Sequence, residues 1–404
     1  MISFARVVPR WQIVTGPTKA FGLASLVGVA LASAAMAAEP LDINDVLRPI
    51  REEFRLPALF AAVTKGGEIV AAGAVGERAL GSGVAVTLDD RIHIGSDGKA
   101  MTATVAGSLV DDGQLRWDST IGEVLGEAIP GLNPGLAAVT LGQLLSHSSG
   151  IPSDTPAMLD IYFNPDAFDY SPTSLRLMAL DAWKDNVPVV PEGSPFQYAN
   201  FGFMTAGAMM EAVTGEPWEA LVRERIYEPL GLDSAGFGPT ATPGLLDAAV
   251  GHLMGDDGVA EPRLWGAWAD LPQIVAPAGT NHMTILDFAR WADWNAGKGL
   301  RGPQLVDPAT LAYIHAEKLR TPTRPNPPPG TPAEGGYAFG WSIEKLDWSD
   351  HELLTHNGSN QFNLAKIVVD EERDLAIVVA TTIGGPPAHD GVEKVVALLY
   401  ERFR

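Results

Sequence analysis

The sequence predicts an α/β chain of the α+β kind: a central antiparallel sheet drawn from both chain ends, flanking helices, and an all-helical region inserted between them. Three observations carry that reading. Strand-like apolar runs stand early, at Leu59 to Lys65 and Ile69 to Val75. Others close the chain, at Tyr337–Leu346, Glu352–Thr355, Leu364–Val369 and Leu375–Ala380. Between about 115 and 320 the periodic stretches are mostly helical and are cut by Pro/Gly punctuation.

Taken in order, the chain opens with residues 1–37, which contain Arg6, Arg10 and Lys19 and no Asp or Glu. An apolar run from Phe21 to Ala35 follows, about 15 residues long and short of the ~20 a helix needs to span a bilayer. It ends at Ala35-Met36-Ala37, small residues at the positions a signal peptidase reads. The expectation is a signal peptide over 1–37, cleaved near Ala37, and a periplasmic or secreted hydrolase domain over 38–404. The alternative is an uncleaved anchor. No later segment has 18 uninterrupted apolar residues, so the mature chain is not expected to insert in a membrane.

The two early runs are separated by Gly66-Gly67-Glu68 and predict a β-hairpin. From Ser96 the apolar residues Ala100, Met101, Ala103, Val105, Ala106 and Leu109 recur at helical spacing up to Asp111-Asp112-Gly113. Leu141–Ser146, Phe201–Val213 and Pro217–Tyr227 predict further helices. Residues 320–334 carry six prolines and predict an exposed loop. Asp370-Glu371-Glu372-Arg373-Asp374 predicts a charged turn between the last two strands, and Val392 to Phe403 an amphipathic closing helix.

Composition narrows the function. Lys+Arg number 28 against 49 Asp+Glu, a net charge of -21 with no basic run of five, which speaks against nucleic acid as a partner. The absence of cysteine removes disulfides, thiolate metal sites, iron–sulfur clusters and a Cys nucleophile. There is no HExxH, no Gly-rich phosphate loop and no GxSxG elbow, and the eight His are not paired at metal-ligand spacing. Neither a metal nor another cofactor is expected. His147, in Leu144-Leu145-Ser146-His147-Ser148-Ser149-Gly150, reads as capping or packing at a helix end rather than as a general base. Trp265, Trp268, Trp291 and Trp294 could line an apolar cleft, with core packing the plainer role for most of them.

Chemistry points instead to Ser96-Asp97-Gly98-Lys99. A Ser there is either an N-cap or a nucleophile on a first helical turn, where N–H groups and the helix dipole favour developing negative charge. A Lys three residues on shares the helix face, and a desolvated amine can act as base. A second SxxK, Ser342-Ile343-Glu344-Lys345, lies in a strand-like run, where residues three apart face opposite ways. Tyr198-Ala199-Asn200 could supply a second proton carrier and an amide that orients Lys99 and a substrate; Tyr162-Phe163-Asn164 is a copy without a following amphipathic helix. His356-Asn357-Gly358-Ser359 stands at the end of a strand-like run. A substrate carbonyl there could accept from that strand and from the Ser96 N–H; a simple strand-to-turn transition is the plain alternative.

In order and spacing these pieces resemble the serine β-lactamase and penicillin-binding-protein superfamily, in particular its class C-like and esterase branch. The likeness extends to LLSHSSGIP at 144–152, to 192–238, to APAGTNHMTILDFAR at 276–290, to GYAFGW at 336–341 and to 356–382, from about 45 to the chain end. It implies a β-lactamase/transpeptidase-like fold with the active site at the junction of sheet and helical region. It further implies Ser96 as acylated nucleophile, Lys99 as base partner, Tyr198 and Asn200 as the middle motif, and the N–H groups of Ser96 and Ser359 as oxyanion hole. One departure stands out. Where β-lactamases and transpeptidases carry Lys-Thr-Gly or Lys-Ser-Gly, this chain has His356-Asn357-Gly358. An imidazole of pKa ~6.5 is mostly neutral at pH 7, which weakens carboxylate anchoring.

The reading is an exported serine hydrolase acting on a small ester, amide or peptide, esterase- or peptidase-like. Its rivals are a class C-type β-lactamase or D-Ala-D-Ala carboxypeptidase, and a penicillin-binding or sensor protein that acylates and stops. Oligomeric state is not legible.

Overall fold

The computed structural model describes residues 39–152, 154–163, 169–266, 269–327 and 332–404. The expected signal peptide, Trp268 and the Asn164 of the second Tyr-x-Asn lie outside them. The strands are β1 (Leu41–Asp42), β2 (Ala58–Lys65), β3 (Glu68–Gly76), β4 (Arg91–His93), β5 (Gly236–Phe237), β6 (His252–Met254) and β7 (Ala260–Pro262). They continue with β8 (Asn281–Thr284), β9 (Leu319–Arg320), β10 (Gly336–Tyr337), β11 (Ser342–Glu344), β12 (Leu353–Ser359), β13 (Leu364–Asp370) and β14 (Leu375–Thr381). Five helices matter below: α1 (Asn44–Glu53), α2 (Gly98–Asp111), α3 (Asn200–Thr214), α4 (Ile285–Ala296) and α5 (Pro386–Phe403).

Nine strands form one sheet in the order β1-β3-β2-β14-β13-β12-β11-β10-β9. All its pairings are antiparallel except that of β1 with β3. The two chain ends meet in the middle, where β2 pairs β14 from Leu59↔Thr381 to Lys65↔Leu375. The intervening region is mainly helical and carries two small sheets, β4-β8-β5 and β6-β7.

The central strands are apolar at nearly every position because both sheet faces are covered. On β14, Ala376, Val378 and Ala380 face the core shared with α2, α3 and α4. Their neighbours Leu375, Ile377 and Val379 face the second core, under α1 and α5. β2 and β13 divide in the same way, with Phe60 and Ile367 on one side and Val63 and Val368 on the other. Each fully buried Val, Leu, Ile or Phe contributes about 1.5–3 kcal/mol, so the two cores fix the register. Lys366 breaks the apolar run on β13; it is buried and forms an ion pair with Glu393 of α5.

One expected strand is interrupted. Tyr337–Leu346 reads as continuous, yet the structure breaks it between β10 and β11. Gly340 takes φ +76°, and a Cβ there would stand 2.7 Å from the backbone of Lys99. The chain bends so that residues 338–341 pack on the start of α2. Among the tryptophans, Trp291 and Trp294 of α4 are core residues stacked on each other, and Trp265 is exposed. Trp291 and Trp294 thus take the core-packing role.

Candidate active site

The site forms where the start of α2 lies across the end of β12. A short 3-10 turn, Gly95–Asp97, runs directly into α2. Two glycines allow the approach. A Cβ on Gly358 would stand 1.8 Å from the Ile94 carbonyl and 3.0 Å from the Ser96 nitrogen. A Cβ on Gly95, whose φ is +51°, would stand 2.4 Å from the Ser359 nitrogen. Only glycine fits either position, and the backbone N–H groups of Ser96 and Ser359 are brought to the same place. The Ser359 hydroxyl is occupied elsewhere: it donates to the Asn363 carbonyl at 2.8 Å and accepts from the Gln361 N–H at 3.0 Å.

Helix geometry places Lys99 over Ser96, its Nζ 3.0 Å from the Ser96 Oγ. The same amine donates to Asn200 Oδ1 at 2.9 Å and to the Ala278 carbonyl at 2.6 Å. Lys99 is fully buried. Burial brings its amine down from the ordinary 10.5 to about 7, against the opposing pull of Asp154 and Asp97. Tyr198 hydrogen-bonds Ser96, and burial raises its phenol above the ordinary range. The Lys99 Nζ lies 4.8 Å from the centroid of the Tyr198 ring. A hydroxyl, an amine able to lose its proton near neutrality, a phenol and two converging N–H groups thus stand together. That set can activate an oxygen nucleophile and bind an oxyanion.

His356 is 5% exposed and points inward. Its Nε2 is 3.2 Å from the Tyr337 hydroxyl, and its Nδ1 is 3.0 Å from the Asn357 carbonyl and 3.4 Å from Asp97 Oδ1. Burial first, and then the nearby Lys99, lower its pKa to about 3. The imidazole is therefore neutral well below pH 6, lower than an ordinary histidine would allow. Asp97 is also fully buried; desolvation raises its carboxyl well above the usual range, with Lys366 and Lys99 opposing.

His147 acts on Tyr198 through the backbone. Its carbonyl accepts from the Gln197 N–H at 2.7 Å and its Nδ1 from the Ala199 N–H at 3.1 Å. The residues on either side of Tyr198 are thereby fixed to one residue, through its carbonyl and its ring. A φ of +57° at His147 turns carbonyl and ring to the same loop, and the two ring centroids lie 4.1 Å apart. With Nδ1 accepting, the ring proton resides on Nε2, and burial holds the ring neutral.

The structure therefore brings Ser96, Lys99, Tyr198, Asn200 and the backbone of Ser359 together, with His356 and Gly358 beneath them. Ser342 lies in β11 and Lys345 just beyond it. Sequence reasoning missed the Ala278 carbonyl, the His147 clamp and Asp154. Asp154 accepts from Asn200 Nδ2 at 2.8 Å and from the Tyr162 hydroxyl at 3.2 Å. The first two act through backbone groups, which leave no mark on side-chain spacing, and an isolated Asp has no pattern around it. Among the described residues no group of His, Cys, Asp and Glu could hold a metal ion.

Residues 43–401 match the beta-lactamase family. The chain belongs to that family, within the superfamily of serine β-lactamases and penicillin-binding proteins. It is 29% identical over 333 residues to penicillin-binding protein 4 of Amycolatopsis lactamdurans, covering 79% of each chain. It is 27% identical to an unguisins hydrolase of Aspergillus campestris over 79% of its own length and 58% of that protein's. Among solved structures, the D-amino acid amidase of Ochrobactrum anthropi superposes with a TM-score of 0.69 at 21% identity, over 89% of this chain and 99% of the other, a likeness of fold.

Proposed function

We propose that the protein is a serine hydrolase that cleaves a small ester or amide through an acyl-enzyme on Ser96. The observation that carries this is the Lys99 amine, buried, brought to about 7, and 3.0 Å from the Ser96 hydroxyl. In its neutral form Lys99 takes the Oγ proton as Oγ attacks the substrate carbonyl. The oxyanion accepts from the N–H groups of Ser96 and Ser359. Tyr198, hydrogen-bonded to Ser96, passes the proton to the leaving group as its bond to the carbonyl carbon breaks. Water then attacks the acyl carbon by the reverse proton path and frees Ser96.

Esterase- or peptidase-like turnover is favoured over β-lactam hydrolysis by His356, buried and neutral where the family's β-lactamases carry a lysine. The Tyr198 and Lys99 set supports turnover rather than a penicillin-binding sensor that stops at the acyl stage. The basic start, apolar run and Ala35-Met36-Ala37 support export to the periplasm or medium. No helix of the described residues is long and apolar enough to cross a membrane. The test is a side-by-side assay on p-nitrophenyl esters, nitrocefin and D-amino-acid peptides, with Ser96→Ala as control. Hydrolysis of the esters or peptides ahead of nitrocefin, abolished in Ser96→Ala, is expected. Turnover that survives Ser96→Ala contradicts the mechanism.

A further inference from the structure

We propose that Asp270 is a positioning residue for the reaction: through His93 and Asn360 it ties together the two backbone segments that supply the oxyanion hole. The proposal rests on the N–H groups of Ser96 and Ser359 binding the oxyanion, and adds what holds them at the right separation. Gly95 precedes one donor and Asn360 follows the other. The Gly95 N–H donates to His93 Nδ1 at 3.1 Å, at the place where Gly95 takes φ +51°. With Nδ1 accepting, the ring proton resides on Nε2, which stands 3.0 Å from Asp270 Oδ1 and 3.1 Å from Oδ2. On the other side Asn360 Nδ2 donates to Asp270 Oδ1 at 2.8 Å. One carboxylate thus links the residue before Ser96 to the residue after Ser359.

The relay faces the backbone rather than the substrate. Asp270 borders the cavity beside the site, yet its side chain is only 2% exposed, and His93 and Asn360 are buried. The remaining polar atoms fix the same loops. Asp270 Oδ1 also accepts from the Leu271 N–H at 2.7 Å, and Asn360 Oδ1 from the Phe362 N–H at 3.2 Å and from Asn363 Nδ2 at 3.1 Å. The Asn363 carbonyl in turn accepts from the Ser359 hydroxyl at 2.8 Å, so the Ser359 end is held as a unit. A buried donor or acceptor left unmade is costly, and the chain therefore resists any slip of one segment past the other. Slip matters here because the two N–H groups must both reach one oxygen at hydrogen-bond distance. Asp270→Asn keeps the shape but breaks the relay. Whichever way its amide turns, an NH2 group meets a donor, either His93 Nε2–H or Asn360 Nδ2.

The experiment compares p-nitrophenyl butyrate with its thiono analogue, C=S in place of the ester carbonyl, in full-length wild type, Asp270→Asn and Asn360→Ala. Sulfur accepts hydrogen bonds weakly, so the ratio of the two kcat values reads the oxyanion hole. Asn360→Ala cuts the relay at its other end and carries the test alone if Asp270→Asn does not fold. In wild type the ester should turn over at least roughly a hundredfold faster than the thionoester. In the variants kcat for the ester should fall roughly ten- to a hundredfold with KM little changed, while kcat for the thionoester hardly moves, so the ratio falls by the same factor. Both kcat values falling together with the ratio intact would make the relay merely structural and overturn the proposal. A rise in KM with the ratio intact, or full activity in a folded variant, would overturn it too. A wild-type ratio near one would instead condemn the oxyanion-hole reading on which it rests.

Discussion

The Lys99 amine lies between two oxygens it can address at once, the Ser96 hydroxyl at 3.0 Å and the Asn200 amide oxygen at 2.9 Å, with the Ala278 carbonyl at 2.6 Å behind it. All three partners accept and none is itself charged, and burial outweighs the opposing pull of the Asp154 and Asp97 carboxyls. Burial then decides its protonation.

A pH profile follows. An amine serves as base only when it has lost its proton, and this one does so at about 7. For a neutral ester, kcat/KM should rise about tenfold per pH unit below that point and level off above it. A profile from pH 5 to 9 checks this; a kcat/KM that stays flat across that range would mean that Lys99 is not the base.

Lys99→Arg keeps the charge and should lose activity almost as completely as Lys99→Ala. A guanidinium cannot give up its proton in a protein, and a lost general base costs ~10²–10⁴-fold. Steady-state assays of both variants decide; an Arg variant retaining more than about a tenth of turnover would reduce Lys99 to an electrostatic role.

His147→Gly tests the clamp around Tyr198. Gly accepts the positive φ but removes the ring and its bond to the Ala199 N–H. A fall in kcat of roughly ten- to a hundredfold with KM little changed is expected, because only the placing of Tyr198 is disturbed. A matching rise in KM with kcat intact would assign His147 to substrate binding instead.

Replacing His356→Lys and Asn357→Thr together should shift preference towards substrates bearing a carboxylate. The wild-type preference for neutral esters should not narrow on acidifying to pH 6, since the buried imidazole takes its proton only at about 3. An ordinary imidazole at that place would have charged near pH 6, and the sequence alone pointed that way. The nitrocefin to p-nitrophenyl butyrate ratio of kcat/KM should rise roughly ten- to a hundredfold in the double variant. An unchanged ratio in a folded protein would place carboxylate recognition elsewhere.

Much of this architecture was legible because it rests on local pattern. The continuous apolar runs of β2, β13 and β14 and the helical run after Ser96 follow from burial on two sheet faces and on a core helix. The Ser96–Lys99 spacing is one turn of helix, so the juxtaposition follows from the secondary structure alone. The break at Gly340 was not legible, since it answers to the approach of another segment, the start of α2. Nor were the depressed pKa of His356 or the Ala278 carbonyl, which depend on what tertiary packing buries and on main-chain atoms that every sequence possesses. Tyr198 and Asn200 stand about a hundred residues from Ser96. Their place beside it came from the order and spacing of motifs, not from any local rule.

The most direct measurement of the central claim is peptide mapping after reaction with a fluorophosphonate. The account predicts a single adduct, on Ser96, absent in Ser96→Ala, a change that removes no helix cap and should leave the fold intact. An adduct on Ser146, Ser342 or Ser359 with Ser96 unmodified would contradict it.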